Sequence, residues 1–457
     1  MSAPQKGGMG VFSLSWPIFL QLTCTYFMGI VDVWALGRIS DDAAGAVGSV
    51  TTLVTFVLMM FSFMGQGGSL VYARSLGRGG GTKVQEYYFV ALLLHIVLGL
   101  LAGVVVYVFA GDAARLMGLD GRLLPYGTVF LEVVAAGALL HSVMAMFGGV
   151  MAANGFTLQA MFASALANIV NIALIYVLVL SDSGPRLGVR GVALSTVLAT
   201  AAGLLYSVRL VFFRIGIRFR RPADRRDLRA HCALLAAFTL PTMLEPAFWQ
   251  AAQIATTRII AVVGTDELVA RTYTLSITNM IGMFPSALSQ GLQISLGYLA
   301  GAGDLDAIRR RARGARLAGS GIALALALVT ALSSGWIMGL FTSDPQVTDT
   351  GKLLLWCGLL YLPGSALIMT TASTLRAVGQ VTYPAVVGIV VLWGVFVPLA
   401  YLLSLPLGLA ILGVMIAMAV DENLRALLLS ARWRYLSAPE RAHRVLDQPE
   451  QVPVSGS

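Results

Sequence analysis

Asp32 stands in the run Gly29-Ile30-Val31-Asp32-Val33-Trp34-Ala35-Leu36-Gly37, a carboxylate among apolar side chains in the first long apolar segment of this 457-residue chain. An ionisable side chain inside such a segment costs roughly 2.5–3.5 kcal/mol to place in a bilayer and persists by default for a functional reason. A carboxylate that is dry in one conformation and wet in another can take up and release a proton, which is the chemistry of ion coupling. The other reading is an acid near the outer mouth that only caps or hydrogen-bonds. Pro17 lies fifteen residues earlier in the same segment and can bend it, because its ring removes a backbone hydrogen bond.

Glu245 is the second candidate, within Leu240-Pro241-Thr242-Met243-Leu244-Glu245-Pro246. It can bind a cationic substrate or a proton, or it can pair with a cation on another helix. Arg258 is thirteen residues on, about 20 Å along a helix, too far for a pair within the segment. Glu132 reads as an interfacial acid, and His95 and His141 as neutral, hydrogen-bonded core residues.

Other chemistry finds little support. There is no HExxH, no nucleophile elbow on a suitable scaffold and no pair of carboxylates at glycosidase spacing, so the chain does not read as an enzyme. Cys24, Cys232 and Cys357 are far apart and lack metal-ligand spacing, so no metal site is expected and core packing is the reading for all three. The glycines of Gly65 to Gly79 follow no strand and precede no Lys-Ser/Thr; they read as packing and capping residues, not a phosphate cradle.

The elements that must position these groups follow from composition. With 57% hydrophobic and 12% charged residues and a mean hydropathy of +0.81, the chain cannot hide its apolar surface from water, and the bilayer must act as solvent. Apolar stretches near the length needed to cross about 30 Å of hydrocarbon recur throughout. The expected fold is all-α and polytopic, with twelve spans at 12–37, 44–74, 85–110, 122–152, 157–180, 189–214, 231–263, 268–300, 313–342, 348–376, 382–402 and 408–434. The first segment is too long for a signal peptide and lacks a small-residue cleavage pattern after it, so it is expected to remain.

Arginines collect on one side of this topology: Arg74 and Arg78, the run from Arg214 to Arg229, Arg309 to Arg316, and the tail with Arg432, Arg434, Arg441 and Arg444. The opposite loops carry Asp41, Asp42, Asp112, Asp120, Asp182, Asp266, Glu267, Asp344 and Asp349. The positive-inside rule then places both termini in the cytoplasm, and it explains the net charge of +9 without nucleic acid.

The chain also repeats itself. Gln66 and Gln290, Gly77 and Gly301, Gly79 and Gly303, and Gly155 and Gly379 are each 224 residues apart. Two halves of six spans follow, residues 12–214 and 231–434, in the same orientation, joined by a basic linker at 215–230, with short cytoplasmic ends at 1–11 and 435–457.

Ser15-Trp16-Pro17, the Asp32 run, the repeated Gln-Gly…Gly-x-Gly segments, and the terminal Leu407-Gly408, Gly413-Val414, Asp421-Glu422-Asn423-Leu424-Arg425 and Arg432-Trp433-Arg434 together resemble the multidrug and toxic compound extrusion (MATE) family of the multidrug/oligosaccharidyl-lipid/polysaccharide flippase superfamily. The resemblance implies two six-helix lobes in a V, which open alternately and export organic, often cationic compounds against a proton or sodium gradient. It implies a coupling site of Asp32 with Asn168 on the fifth span. Ile172 stands where the family carries an acid, and Asn171 is one residue off that register. The loss of one carboxylate favours a proton over sodium. Both asparagines could equally serve interhelical hydrogen bonds. In the seventh span the family acid corresponds to Trp249, one turn beyond Glu245, and in the tenth to Ser365. Glu245, Trp249, Gln250, Tyr26 and Met28 are the expected cavity residues, and Pro17 the expected hinge. Methionines such as Met28, Met59, Met60, Met64 and Met369 would give an adaptable wall, or simply fill core and lipid-facing space. No cofactor is expected beyond the coupling ion; the expected partners are a small organic substrate and the bilayer, with the chain a monomer in the cell membrane. The opposed reading is a lipid-linked sugar flippase, which would favour a basic cavity.

Overall fold

The computed structural model describes residues 10–182 and 184–438, and every regular element among them is helical. The ends at 1–9 and 439–457, with Arg441 and Arg444, lie outside the described residues. In the first half run α1 (Val11–Ile39), α2 (Asp41–Gly77), α3 (Gly81–Val108), the short α4 (Ala110–Leu116), α5 (Leu124–Ala136), α6 (Ala138–Ala153), α7 (Thr157–Ile175) and α8 (Val189–Arg209). Wide π-helical turns at Tyr176–Leu180 and Leu210–Ile215 extend the last two. In the second half run α9 (Arg225–Val263), α10 (Thr265–Ala302), α11 (Leu305–Leu332), the short α12 (Ser334–Gly339), α13 (Pro345–Ala377), α14 (Thr382–Val391), α15 (Val397–Ser404) and α16 (Ala410–Leu436). A π-helical turn at Leu392–Phe396 joins α14 to α15.

Nine helices among the described residues are long and apolar enough to cross a bilayer, and α5 with α6, bent by 49° at Gly137, are together long and apolar enough for a tenth if the pair is one span. The helices α10 and α16, of 38 and 27 residues, are also long enough and occupy the places of the predicted eighth and twelfth spans, but threonines, serines, Asn279 and glutamines dilute the apolar run of α10, and Asp421, Glu422 and Arg425 interrupt that of α16. Large apolar side chains face outward, among them Phe213 at 84% and Val104 at 59% exposure. In water such a surface would drive aggregation; against acyl chains it is the solvated state. Pro17 sits inside α1 without ending the helix.

The chain forms two compact units. Leu20–Thr239 make one; Gly10–Phe19 and residues 240–438 make the other. The division therefore runs inside α1 and α9, whereas the sequence places it at the ends of helices. The physical cause lies in two glycines. In the second unit, a Cβ on Gly291 would come within 3.0 Å of the Ser15 nitrogen, and the rings of Phe12 and Phe19 pack on Phe284 at 6.3 and 6.0 Å. In the first unit, a Cβ on Gly67 would come within 2.9 Å of the Thr239 Cα, and the Arg74 guanidinium lies over the Phe238 ring at 5.7 Å.

The repeat glycines end helices in matching ways. Gly155 and Gly379 take φ of +83° and +92°, a left-handed conformation that favours glycine. The bonds Phe156 N to Met151 O and Gln380 N to Leu375 O then close the two turns at 2.8 and 2.9 Å.

Candidate functional site

Asp32 is carried on α1 one turn before the buried Leu36, so it shares the helix face that turns toward the core of the first unit. Asn171 on α7 lies one turn after buried Ala167 and one turn before buried Ile175. Thr196 on α8 follows buried Val192 by one turn. Three helices thus aim their polar groups at one point.

At that point Asn171 Nδ2 donates to Asp32 Oδ1 at 3.3 Å and Thr196 Oγ1 donates to Asp32 Oδ2 at 3.2 Å. Asn171 Nδ2 also lies 3.3 Å from Thr196 Oγ1. None of the ion pairs among the described residues engages Asp32. Asn171 is wholly buried, and its Oδ1 has no hydrogen-bond donor. A carboxylate held by neutral donors alone, beside an amide oxygen that lacks a donor, is a place where an added proton gains a partner.

Asn168 points elsewhere: its amide donates to the Ser164 carbonyl one turn back at 2.9 Å. Thr196 had no sequence signal beyond a hydroxyl in an apolar helix. One turn further along α8, Thr200 Oγ1 meets His141 Nε2 at 3.0 Å. His95 Nδ1 meets Ser142 Oγ at 3.1 Å. Both histidines are hydrogen-bonded within the core, as the sequence suggests for such residues. Of the other first-half candidates, Tyr26 is exposed and Met28 half-buried on α1.

In the second unit, Glu245 forms an interhelical ion pair with Arg376 on α13, Nη2 to Oε2 at 2.8 Å, not with Arg258. The absence of a side chain at Gly388 leaves room for it; a Cβ there would lie 3.2 Å from Glu245 Oε1. Trp249 packs against the hydrophobic core of this unit and Gln250 is half-buried.

A cluster on α16 carries no functional reading from its residues alone. Asp421, Glu422 and Arg425 are 2, 5 and 6% exposed, and Arg425 Nη2 lies 2.5 Å from Asp421 and 3.0 Å from Glu422. Glu245 is within electrostatic reach of Glu422 and Arg425, and Ser365 lies beside Glu422. With Glu245 paired to Arg376, three carboxylates thus share two guanidiniums, which leaves one negative charge in excess. The signal for it was an Asp-Glu-x-x-Arg spacing, which puts all three on one face.

The halves differ in polarity. The residue 224 positions after Asp32 is Thr256. Thr256, Thr257 and Gln253 accept hydrogen bonds from the buried Arg271 at 3.1, 2.7 and 2.6 Å.

A family model described as MatE matches residues 17–177 and 241–402. Over 435 residues the chain is 31% identical to the uncharacterized transporter YisQ of Bacillus subtilis, covering 95% of this chain and 96% of that one. Over 436 residues it is 22% identical to the probable multidrug resistance protein NorM of Thermotoga maritima, covering 93% and 92%. A solved structure described as a crystal structure of MATE in the bent conformation shares its fold with a TM-score of 0.89 at 18% identity, over 95% of this chain and 96% of that one.

Proposed function

We propose, from the premise that this chain belongs to the MatE family of membrane transporters, that it is a multidrug efflux protein of the cell membrane. In this reading it exports cationic or amphipathic organic compounds by exchange for an inward-moving cation, with a proton preferred over sodium. The relatives named as multidrug resistance proteins support efflux. The observation that carries the coupling reading is the Asp32 carboxylate with its two neutral donors and the donor-free Asn171 oxygen.

When Asp32 takes a proton, its O–H becomes a donor and Asn171 Oδ1 is the acceptor at hand. Asn171 must then reorganise the bond its Nδ2 makes, and α1 and α7 exchange one hydrogen-bond pattern for another. Such a change shifts a two-state equilibrium only by the difference in affinity between the states. Proton uptake that favours the state with low substrate affinity would release substrate outside. Sodium is a poorer fit, since one carboxylate supplies little of the negative charge that a cage of oxygens needs. The arginine-rich connections support cytoplasmic termini. The chain acts as a monomer, and no cofactor is required beyond the coupling ion.

The test is transport of a cationic dye by the purified protein in proteoliposomes under separately imposed proton and sodium gradients. Dye movement driven by the proton gradient alone is expected. Movement driven only by sodium would overturn the proton preference, and no gradient-driven movement of dye, with scrambling of a lipid-linked sugar instead, would favour a flippase.

A further inference from the structure

The second unit holds an open groove of about 800 Å³ between α9 and α15, lined chiefly by Ala251, Ile254, Ala255, Arg258, Pro398 and Tyr401. Its existence has local causes. Ala251 and Ala255, one turn apart, leave space along α9 between the larger Ile254 and Arg258. On the other wall the π-helical turn Leu392–Phe396 runs directly into Val397 and Pro398, where a wider turn and a residue without an N–H distort the helix.

Arg258 stands one turn beyond Ile254 on the groove face and is exposed. None of the ion pairs among the described residues involves it. The acids of the adjacent hairpin, Asp266 and Glu267, lie in the first turn of α10, where the Glu267 carboxylate folds against Gly264. Arg271, on the other side of that hairpin, is bonded to neutral oxygens only. This end of α9 and α10 therefore carries two guanidiniums whose charge is not balanced by a bonded carboxylate.

Arg258 is five residues from the end of α9, about 7.5 Å at helical rise, and Tyr401 is three residues from the end of α15. An arginine and a tyrosine at this depth, above apolar walls, match the boundary between headgroup and acyl chain. A cavity of this size suits a headgroup, a glycerol and the upper part of one chain, with the remainder in the bilayer. We propose that this groove binds one anionic phospholipid of the surrounding bilayer, its phosphate on Arg258 and its glycerol and acyl chain along Ala251, Ala255 and Pro398. A headgroup without its own cation is preferred, because a choline would compete with the guanidinium for the phosphate. The inference does not depend on the efflux reading.

The experiment is native mass spectrometry of the full chain in detergent, with phosphatidylglycerol, phosphatidylcholine or diacylglycerol added to delipidated protein. Wild type is expected to retain one phosphatidylglycerol, in preference to the other two. Arg258→Gln should weaken that retention roughly tenfold, the scale of one charge-assisted contact. Ala255→Leu, which fills the groove and keeps the arginine, should weaken it as well. Equal retention by wild type and Arg258→Gln, or equal retention of phosphatidylglycerol and diacylglycerol, overturns the proposal. Stripping of the lipid by inorganic phosphate alone at millimolar concentration would show a small-anion site and overturn it too.

Discussion

Gly291 closes on Ser15 so tightly that a Cβ at position 291 would lie 3.0 Å from the Ser15 backbone nitrogen and 3.1 Å from the Val11 carbonyl oxygen. Gly67 closes on Thr239 in the same manner, and 224 residues separate both Gly67 from Gly291 and Ser15 from Thr239. The start of α1 thus belongs to the unit built by the second half, and the start of α9 to the unit built by the first. Pro17 and Pro241 share the same offset, each two residues after the contact.

Alanine at these glycines is expected to force the helices apart. Gly67→Ala, which meets Thr239 Cγ2 and Cα at 2.8 and 2.9 Å, and Gly291→Ala, which meets Ser15 Oγ and, at 3.0 Å, the Ser15 nitrogen, should cost similar amounts, about 1–3 kcal/mol for overpacking of this kind. Gly148→Ala, which meets nothing within 4 Å, should be neutral or slightly stabilising as a helix-interior exchange. Thermal unfolding in detergent would show a lowered midpoint for the first two variants only.

Asn171 and Asn168 should separate cleanly in transport. Asn171→Ala and Thr196→Val each remove a donor to Asp32 and should lower proton-driven dye transport roughly tenfold, the effect of one lost hydrogen bond to a charged group. Asn168→Ala removes only a bond to the Ser164 carbonyl and should stay within about twofold on the same scale. Initial rates at matched protein density check both.

The Glu245–Arg376 pair is half-buried, so removal of one partner should cost more than removal of both. Arg376→Gln is expected to destabilise by about 1–3 kcal/mol, with the double Glu245→Gln/Arg376→Gln variant recovering part of the loss. Unfolding midpoints for the four members of the cycle give the coupling directly; strict additivity would show that the pair contributes nothing.

On α16, Arg425→Gln should be among the most destabilising single changes in the second unit, by about 3–5 kcal/mol, since it strands two buried carboxylates. Glu422→Gln, which removes the negative charge in excess of the two guanidiniums, should be close to neutral. Comparable losses for both would contradict the charge balance derived for this cluster.

Much of this was legible from sequence because its causes are local. Hydropathy places the long helices, and the paired glycines at 155 and 379 mark helix ends that glycine alone takes easily. The Asp32 position stands out because acids in apolar helices are rare. The partners were harder to read. Asn168 and Asn171 are three residues apart, only about 60° around a helix, so register alone does not say which of them reaches α1. Arg376 is 131 residues from Glu245, and nothing in either local segment names the other. The division of α1 and α9 between units was likewise hidden, because it depends on which glycine each helix start meets in space. The repeat itself contained the clue, in the matching Ser-x-Pro at 15–17 and Thr-x-Pro at 239–241.

The central claim is that Asp32 couples proton movement to export, and Asp32→Asn tests it most directly, because the amide keeps the shape of a carboxyl group and cannot titrate. The measurement is dye binding and proton-gradient-driven dye transport by wild type and variant in the same proteoliposomes. Binding is expected to remain within about twofold while gradient-driven transport falls at least roughly a hundredfold, the scale of a lost essential proton-transfer group. Gradient-driven transport by Asp32→Asn at the wild-type rate would contradict the claim.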